Sequence, residues 1–310
     1  MKRMIPLLLC LFILLASLPS LAQVIPEIDA LLPQEIKPNP PGMQHYLLVC
    51  MDSWAARLGR LGYSDGMVLV TVDESAQRIM ATSFIRDMLV LHPDDKPGRL
   101  TYIVKKYGVQ GLVDTINRHF GIDIKKFILM DWSQVSSIVD AVGGVKLTVT
   151  DGEASYLKRY AISPSSTKPA MAGAGEYLFT GHAAVIYMRI RKVPAINGDP
   201  HDIGRTYRTR LVLSSIADNL KDVSYEKAQK ILESITGNIL DTNLSAADLL
   251  DAFHAVFAMR GTKVEMFRLP IDGTFRNFDY FGGASQLMEF APNREALNKF
   301  LFQQVYIVRE

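Results

Sequence analysis

Residues 45–52 read His45-Tyr46-Leu47-Leu48-Val49-Cys50-Met51-Asp52, a short, mostly apolar run that stops on a carboxylate. A run of that length and composition predicts a buried strand with Asp52 at its exit. Toward the C-terminus, Met67–Val72 and Arg78–Ile85 are two more strand-like runs. The polar turn Asp73-Glu74-Ser75-Ala76-Gln77 joins them, so a hairpin is expected. Phe127–Met130, Val145–Val149, Ala183–Val193 and Lys263–Leu269 extend the strand set. Helical spacing intervenes. Leu112, Val113, Ile116 and Phe120 form one stripe of a helix over Val109–Phe120 that Gly121 stops. Ser133 is placed to cap a helix that ends at Gly143-Gly144. Asp202–Leu220, Tyr225–Ile235, a segment opened by the capping box Ser245/Asp248, and Asn293–Phe302 complete the helices. Residues 151–174 lose all periodicity and carry Pro164 and Pro169, which predicts a long surface loop. Strands and helices alternate with no break in composition. The economical architecture is one α/β domain, a central sheet covered by helices.

The ends of the chain bear on its compartment. Lys2 and Arg3 precede the apolar run Ile5–Ala16, and Ser20-Leu21-Ala22 offers small residues before Gln23. Residues 1–22 therefore read as a signal peptide, with an uncleaved anchor as the alternative. The apolar core is shorter than the about 20 residues that a spanning helix needs. Residues 23–42 hold Pro26, Pro33, Pro38, Pro40 and Pro41 and read as a semi-extended linker, leaving 43–306 as the catalytic domain. Cys50 is then the sole mature cysteine, expected to be a buried, inert thiol. The 34 basic and 32 acidic side chains give a formal charge of +2. So weak a field excludes a bulk polyanion binder, and no nucleic-acid partner is expected. Any anion site must be local and built from a few arginines.

Gly-rich phosphate loops, dinucleotide fingerprints and nucleophile elbows are all missing from the sequence, and the histidines lack zinc spacing. Arginines and aspartates remain. Asp52 follows one strand and Asp65 opens the next; such a pair could share a divalent cation with phosphate oxygens, or merely cap turns. Arg86 and Asp87 end the strand Arg78–Ile85. Read as a strand, Tyr187, Arg189 and Arg191 lie on one face, where like charges need an anion or bulk water over them. Asp202, Arg205 and Arg208 recur at helical i, i+3 spacing, either around a ligand or as a surface ion pair. Arginine suits phosphate because its planar fork makes paired hydrogen bonds. Arg86, Arg189, Arg191 and Arg205 together would match a pyrophosphate.

The order of these motifs resembles the LytR-CpsA-Psr family, bacterial ligases that attach glycopolymers to the cell wall. The resemblance spans roughly Met43 to Phe302. It rests on Asp52 and Ser64-Asp65, on Ser83-Phe84-Ile85-Arg86-Asp87 (the family has Ser-Ile-Pro-Arg-Asp), and on Val139-Asp140-Ala141-Val142-Gly143-Gly144-Val145. Leu178, Gly181, Tyr187-Met188-Arg189-Ile190-Arg191 and Asp202-Ile203-Gly204-Arg205-Thr206-Tyr207-Arg208 complete the series. The resemblance implies a central mixed sheet with helices on both faces and an apolar tunnel for a polyprenyl chain. It implies Mg²⁺, or Mn²⁺, on Asp52 and Asp65, and a catalytic group of Asp52, Asp65, Arg86 and Asp87. Arg86, Arg189, Arg191, Arg205, Asp202 and Arg208 would bind the pyrophosphate. The implied partners are a polyprenyl-pyrophosphate-linked glycan, a peptidoglycan acceptor and the membrane surface that the lipid brings with it. Location would be extracytoplasmic, secreted or attached at the outer face of the cytoplasmic membrane.

The implied reaction is a phosphotransfer from the lipid carrier to a peptidoglycan hydroxyl, with Asp52, Asp65 and Asp87 all open as the base. The alternatives are a non-catalytic polyprenyl-(pyro)phosphate binder or a pyrophosphatase. Four positions depart from the family pattern: Trp54, Tyr63 in place of Arg, Ile85 in place of Pro, and Thr209 in place of Gln. Tyr63, two residues before Asp65, is expected to place its phenol beside the phosphates, with Arg57 or Arg60 available to replace the lost charge.

Overall fold

In the computed structural model, the described residues are 28, 34–52, 58–159, 166–237 and 239–302. The chain divides into two compact units, Met1–Leu32, of which only residue 28 is described, and Pro33–Glu310. The signal-peptide reading of 1–22, most of the loop holding Trp54 and Arg57, and the loop tip at 160–165 lie outside the described residues. Among the described residues no helix is long and apolar enough to cross a membrane.

The run that opened the sequence argument is β1 (Met43–Met51), and it sits at the centre of a six-stranded mixed sheet. The other members are β2 (Ser64–Asp73), β3 (Arg78–Phe84), β6 (Lys126–Asp131), β10 (Asp241–Thr242) and β11 (Val264–Leu269), in the order β10-β6-β1-β2-β3-β11. β1 runs antiparallel to β2 and parallel to β6, and β3 is parallel to β11. Because side chains alternate across a strand, Leu47 and Val49 enter one layer of core and Tyr46 and Cys50 the other. The hairpin β2–β3 forms as expected. Two short strands, β4 (Leu89–Leu91) and β5 (Pro97–Arg99), make an excursion after β3 that returns beside its exit: Thr101 N donates to Arg86 O at 2.9 Å.

Helix α1 (Ile103–Phe120), interrupted at Gly108, covers one face, where Phe120 meets Phe84 and Phe290 of α8 (Phe290–Phe302). The other face is covered by α2 (Trp132–Ala141), α4 (Gly181–Met188), α5 (His201–Leu220), α6 (Tyr225–Thr236) and α7 (Ala246–Ala258). A small antiparallel sheet, β7 (Val145–Val149), β9 (Gly175–Phe179) and β8 (Thr167–Lys168), lies under α5. The hairpin β12 (Phe275–Tyr280) and β13 (Gly283–Met288) stands beside β4.

Three local expectations are corrected. The segment 183–193 is not a strand: its first part is helix α4, ending at Met188. A short apolar run buried on nearly every side carries no period that separates helix from strand, and the Ala183-Ala184 pair tips it to helix. The opening of the supposed loop 151–174 is helix α3 (Asp151–Arg159), which buries Glu153, Ala154 and Leu157. Asp131, not Ser133, caps α2: its carboxylate accepts from Ser133 N at 2.8 Å and Gln134 N at 3.0 Å, and the Gln134 side chain completes the box. The described end of the Pro-rich stretch is held against α1, with Gln34 N donating to Arg118 O and Lys37 N to Gly121 O.

Candidate active site

Each site residue stands where an element ends. Cys50 pairs with Gly66 and Met51 with Ser64, so Asp65 is the extra residue of a β-bulge. A bulge turns its side chain out of the regular alternation, here toward the end of the sheet. Asp52 leaves β1 alongside, its backbone N–H bonded to Tyr63 O at 3.2 Å. Arg86 and Asp87 follow the end of β3, and Arg99 ends β5. Arg189 caps the C-terminus of α4, with Arg191 two residues on. Asp202 and Arg205 occupy the first turns of α5.

The Val139–Gly144 motif positions α4. Asp140 Oδ1 accepts from Gly181 N at 2.8 Å, which satisfies one of the open donors at that helix start. A Cβ on Gly181 would collide with the Ser136 carbonyl, so only glycine lets α4 lie this close to α2.

These elements bring Arg86, Arg99, Arg191 and Arg205 around Asp65, Asp87 and Asp202. Arg86 donates to Asp65, and its Nε lies 3.6 Å from Asp87 and 4.0 Å from Asp202. Asp202 Oδ1 accepts from Arg191 Nε at 3.0 Å and Nη2 at 2.8 Å, and lies 3.1 Å from Arg205 Nη2. Arg205, buried, also approaches Asp65 at 3.8 Å. Arg99 Nη1 reaches Asp87 at 3.4 Å. Four guanidiniums against three carboxylates leave a net positive centre.

Burial pushes the Asp87 carboxyl up, and neighbouring Asp202 adds to that despite Arg86 and Arg99. Burial also acts on Asp202, but Arg205 and then Arg191 and Arg86 outweigh it and hold that group below the ordinary carboxylate range. At this centre Arg86 Nε and Trp132 Nε1 are buried donors without a hydrogen-bond partner, Arg86 Nε keeping only its longer ion-pair contacts to Asp87 and Asp202. Buried polar groups are nearly always satisfied, so unmet donors at a cationic centre point to an anion. Arg189 lies over the Trp132 ring, 5.7 Å from its centre, and makes no ion pair with a described residue.

Beside Arg189 the apolar layer opens. A cavity of about 60 Å³ is lined by Leu48, Cys50, Met130, Trp132, Thr209 and Val212. A second, of about 230 Å³, continues past Leu48 between the sheet and α6 and α7, against Tyr46, Val70, Ile231 and Phe253. The two have Leu48 as a common wall and make a two-part apolar path along the sheet, which approaches the arginines at Trp132, beneath Arg189. Thr209 Oγ1 is bonded back to Arg205 O at 3.1 Å, which leaves it apolar toward this path. Cys50 is buried as expected, and burial raises its thiol far above the usual range.

Three placements differ from expectation. Arg189 and Arg191 do not share a strand face; one meets Trp132 and the other Asp202. Arg208 is turned away from the cluster and wholly buried, donating to Glu153 Oε1 at 2.7 Å, Ile190 O at 2.9 Å and Val193 O at 2.8 Å. One turn beyond Arg205, it braces the segment carrying Arg191 instead of meeting ligand. Tyr63 is also not among the arginines but packs against Tyr102 in a tilted ring pair at 5.3 Å, and Arg60 is exposed without an ion pair to a described residue. The sequence reading missed Arg99. Only the return of β5 to the β3 exit reveals it, and no local pattern marks that return.

The sequence pattern of the LytR_cpsA_psr family matches residues 34–296. The chain belongs to the LytR-CpsA-Psr family. Among relatives, it is similar to the polyisoprenyl-teichoic acid–peptidoglycan teichoic acid transferase TagV of Bacillus subtilis, at 25% identity over 82% of this chain and 61% of the relative. It thus spans about three fifths of that relative's length. The corresponding TagU of Bacillus licheniformis is 27% identical over 78% of this chain and 75% of its own length. A solved LytR-CpsA-Psr protein, YwtF (TagT) with bound octaprenyl pyrophosphate lipid, has the same fold. Its TM-score is 0.62 at 22% identity, covering 86% of this chain and 93% of that one.

Proposed function

We propose that this LytR-CpsA-Psr protein is an extracytoplasmic phosphotransferase that moves a glycopolymer from a polyprenyl-pyrophosphate carrier to a peptidoglycan hydroxyl. One observation carries the reading: a cluster of arginines lies beside apolar pockets along the sheet, with Arg189 over Trp132 and Trp132 lining the first pocket. A diphosphate joined to a long hydrocarbon has that pairing of chemistries. The names of TagV and TagU and the lipid bound to TagT point the same way.

In the reaction so read, the acceptor oxygen bonds to the glycan-side phosphorus and the bridging P–O bond breaks. Polyprenyl monophosphate leaves with the electron pair. Arg86, Arg205 and Arg189 offset charge that builds on the transferring group and the leaving oxygen. Asp87 is the best-suited acceptor for the hydroxyl proton. Arg86 hydrogen-bonds Asp65 and Arg191 hydrogen-bonds Asp202 at close range, whereas Asp87 meets Arg86 and Arg99 only at 3.6 and 3.4 Å and burial raises its proton affinity.

Asp52 and Asp65, on adjoining strands at the bulge, form a donor set suited to Mg²⁺, an ion that takes one or two carboxylates and fills the rest with phosphate oxygens and water. Such an ion would supply further neutralisation of the phosphate oxygens.

The test is incubation with a polyprenyl diphosphate-linked saccharide and Mg²⁺, with and without peptidoglycan. Release of polyprenyl monophosphate only with acceptor is the expected result. Release without acceptor would indicate a hydrolase, and tight binding without release a carrier.

A further inference from the structure

Beside Arg99, which reaches Asp87, and with no residue in common with the two apolar pockets, lies a further concavity of about 860 Å³ that the transfer reading above does not use. It is walled by β5, the start of α1 and the tip of the β12–β13 hairpin. Its lining contains four cations, Lys96, Arg99, Lys105 and Lys106, and no Asp or Glu. Asp94 partly offsets Lys96 and Lys106, at 3.9 and 3.1 Å. Arg99 and Lys105 instead bracket a pair of rings. Arg99 lies 4.4 Å from the centre of Tyr102, Tyr102 packs against Tyr63 at 5.3 Å with the rings tilted by 55°, and Lys105 Nζ lies 4.6 Å over Tyr63 and donates to its hydroxyl at 3.3 Å.

The opposite wall carries Phe281, 77% exposed and held at φ +49°. A bulky residue at positive φ is an outlier, and beyond its edge contact with Tyr280 at 4.7 Å this ring is left in water. Solvent-facing aromatic faces beside cations suit a saccharide that bears negative charge: rings take the sugar's apolar face and cations its acid groups.

Position then selects which saccharide. In phosphoryl transfer the attacking and leaving oxygens lie roughly in line through phosphorus. With the lipid running along the apolar path beside Arg189, the leaving oxygen is on that side. The attacking hydroxyl arrives from the other, across Asp87, where Arg99 joins the arginine cluster to this groove.

We infer that the groove between Tyr63, Tyr102 and Phe281 is the acceptor subsite, holding a peptidoglycan strand through ring contact with its sugars and ion pairing of Lys105 and Arg99 with its carboxylates. This rests on the transfer reading above, so the experiment separates the two. A soluble, lipid-free peptidoglycan oligomer with intact stem peptides and, separately, farnesyl diphosphate are titrated calorimetrically into the full chain and into Phe281→Ala and Lys105→Gln. Both substitutions are at exposed positions outside the arginine cluster.

The expected result is about tenfold weaker oligomer binding in each variant, with farnesyl diphosphate affinity unchanged. Amidating the oligomer's carboxylates should abolish the difference between wild type and Lys105→Gln. Oligomer binding that is absent, or equal in all three proteins, overturns the inference. A third titration, with a lipid-free glycerol phosphate oligomer, checks the donor side: loss of affinity in the variants confined to that oligomer also overturns the inference and would make the groove a donor-glycan site. Failure of farnesyl diphosphate to bind overturns the transfer reading and leaves the groove to be judged on the oligomer alone.

Discussion

At the scale of single residues, the centre separates two carboxylates that sit side by side. Asp87 is raised by burial and by Asp202, and Asp202 is lowered on balance by Arg205, Arg191 and Arg86. The sign follows directly. As pH rises, Asp87 loses its proton later than an ordinary carboxylate, so activity climbs along a limb placed above the usual Asp range, while Asp202 is already ionised. Asp87→Asn should lower kcat by about 100-fold or more, keep diphosphate affinity, and erase that limb. A variant that kept the same limb would move the base elsewhere. Much of this centre was legible residue by residue. Asp65, Arg86, Asp87, Arg191, Asp202 and Arg205 do come together, all but Arg191 at the end of an element whose local pattern was clear; Arg191 follows a segment read as strand that is helix. Tyr63 and Arg99 were not legible in this way. Their neighbours come from elements distant in sequence or from a two-strand excursion with no periodicity.

At the scale of elements, α3 and α5 are joined by the buried pair Glu153–Arg208, both fully inaccessible. Arg208 also ties down the carbonyls of Ile190 and Val193, and so fixes the turn from which Arg191 reaches Asp202. Removing one partner of such a pair strands a charge, at a cost of about 3–5 kcal/mol. Arg208→Met should therefore lower the unfolding free energy measured in urea by that amount, while native protein still binds farnesyl diphosphate within a few-fold of wild type. A variant of normal stability that no longer binds would return Arg208 to the ligand set. The same pair explains why α3 was read as loop. Asp151-Gly152-Glu153-Ala154-Ser155 has little intrinsic helix preference, and what stabilises the helix is a partner on α5.

At the scale of the whole molecule, the covered sheet buries two imidazoles far from the site. His45 on β1 bonds Thr71 at 2.8 Å, and His119 on α1 bonds the backbone of Leu91 at 3.1 Å. Burial lowers both from 6.5 to about 4. Their stabilising contribution is complete above pH 6.5. As pH falls toward 4 the unfolded chain takes up protons that the folded chain refuses, so roughly 3 kcal/mol per histidine is lost across that window. Urea midpoints between pH 7 and 4.5 should show it, and His45→Gln should remove roughly half the slope. A flat profile would mean that both rings charge in place. The sequence by itself determined the mixture of strands and helices, most of their limits, the arginine–aspartate motifs and the family, since these rest on local periodicity, caps and motif order. Only the tertiary structure decided the state of 151–159 and 183–188, the inward turn of Arg208, the place of Arg99 and the groove around Tyr63. In each case a partner remote in sequence supplies the deciding burial or charge, and no pattern along the chain encodes which remote groups will meet.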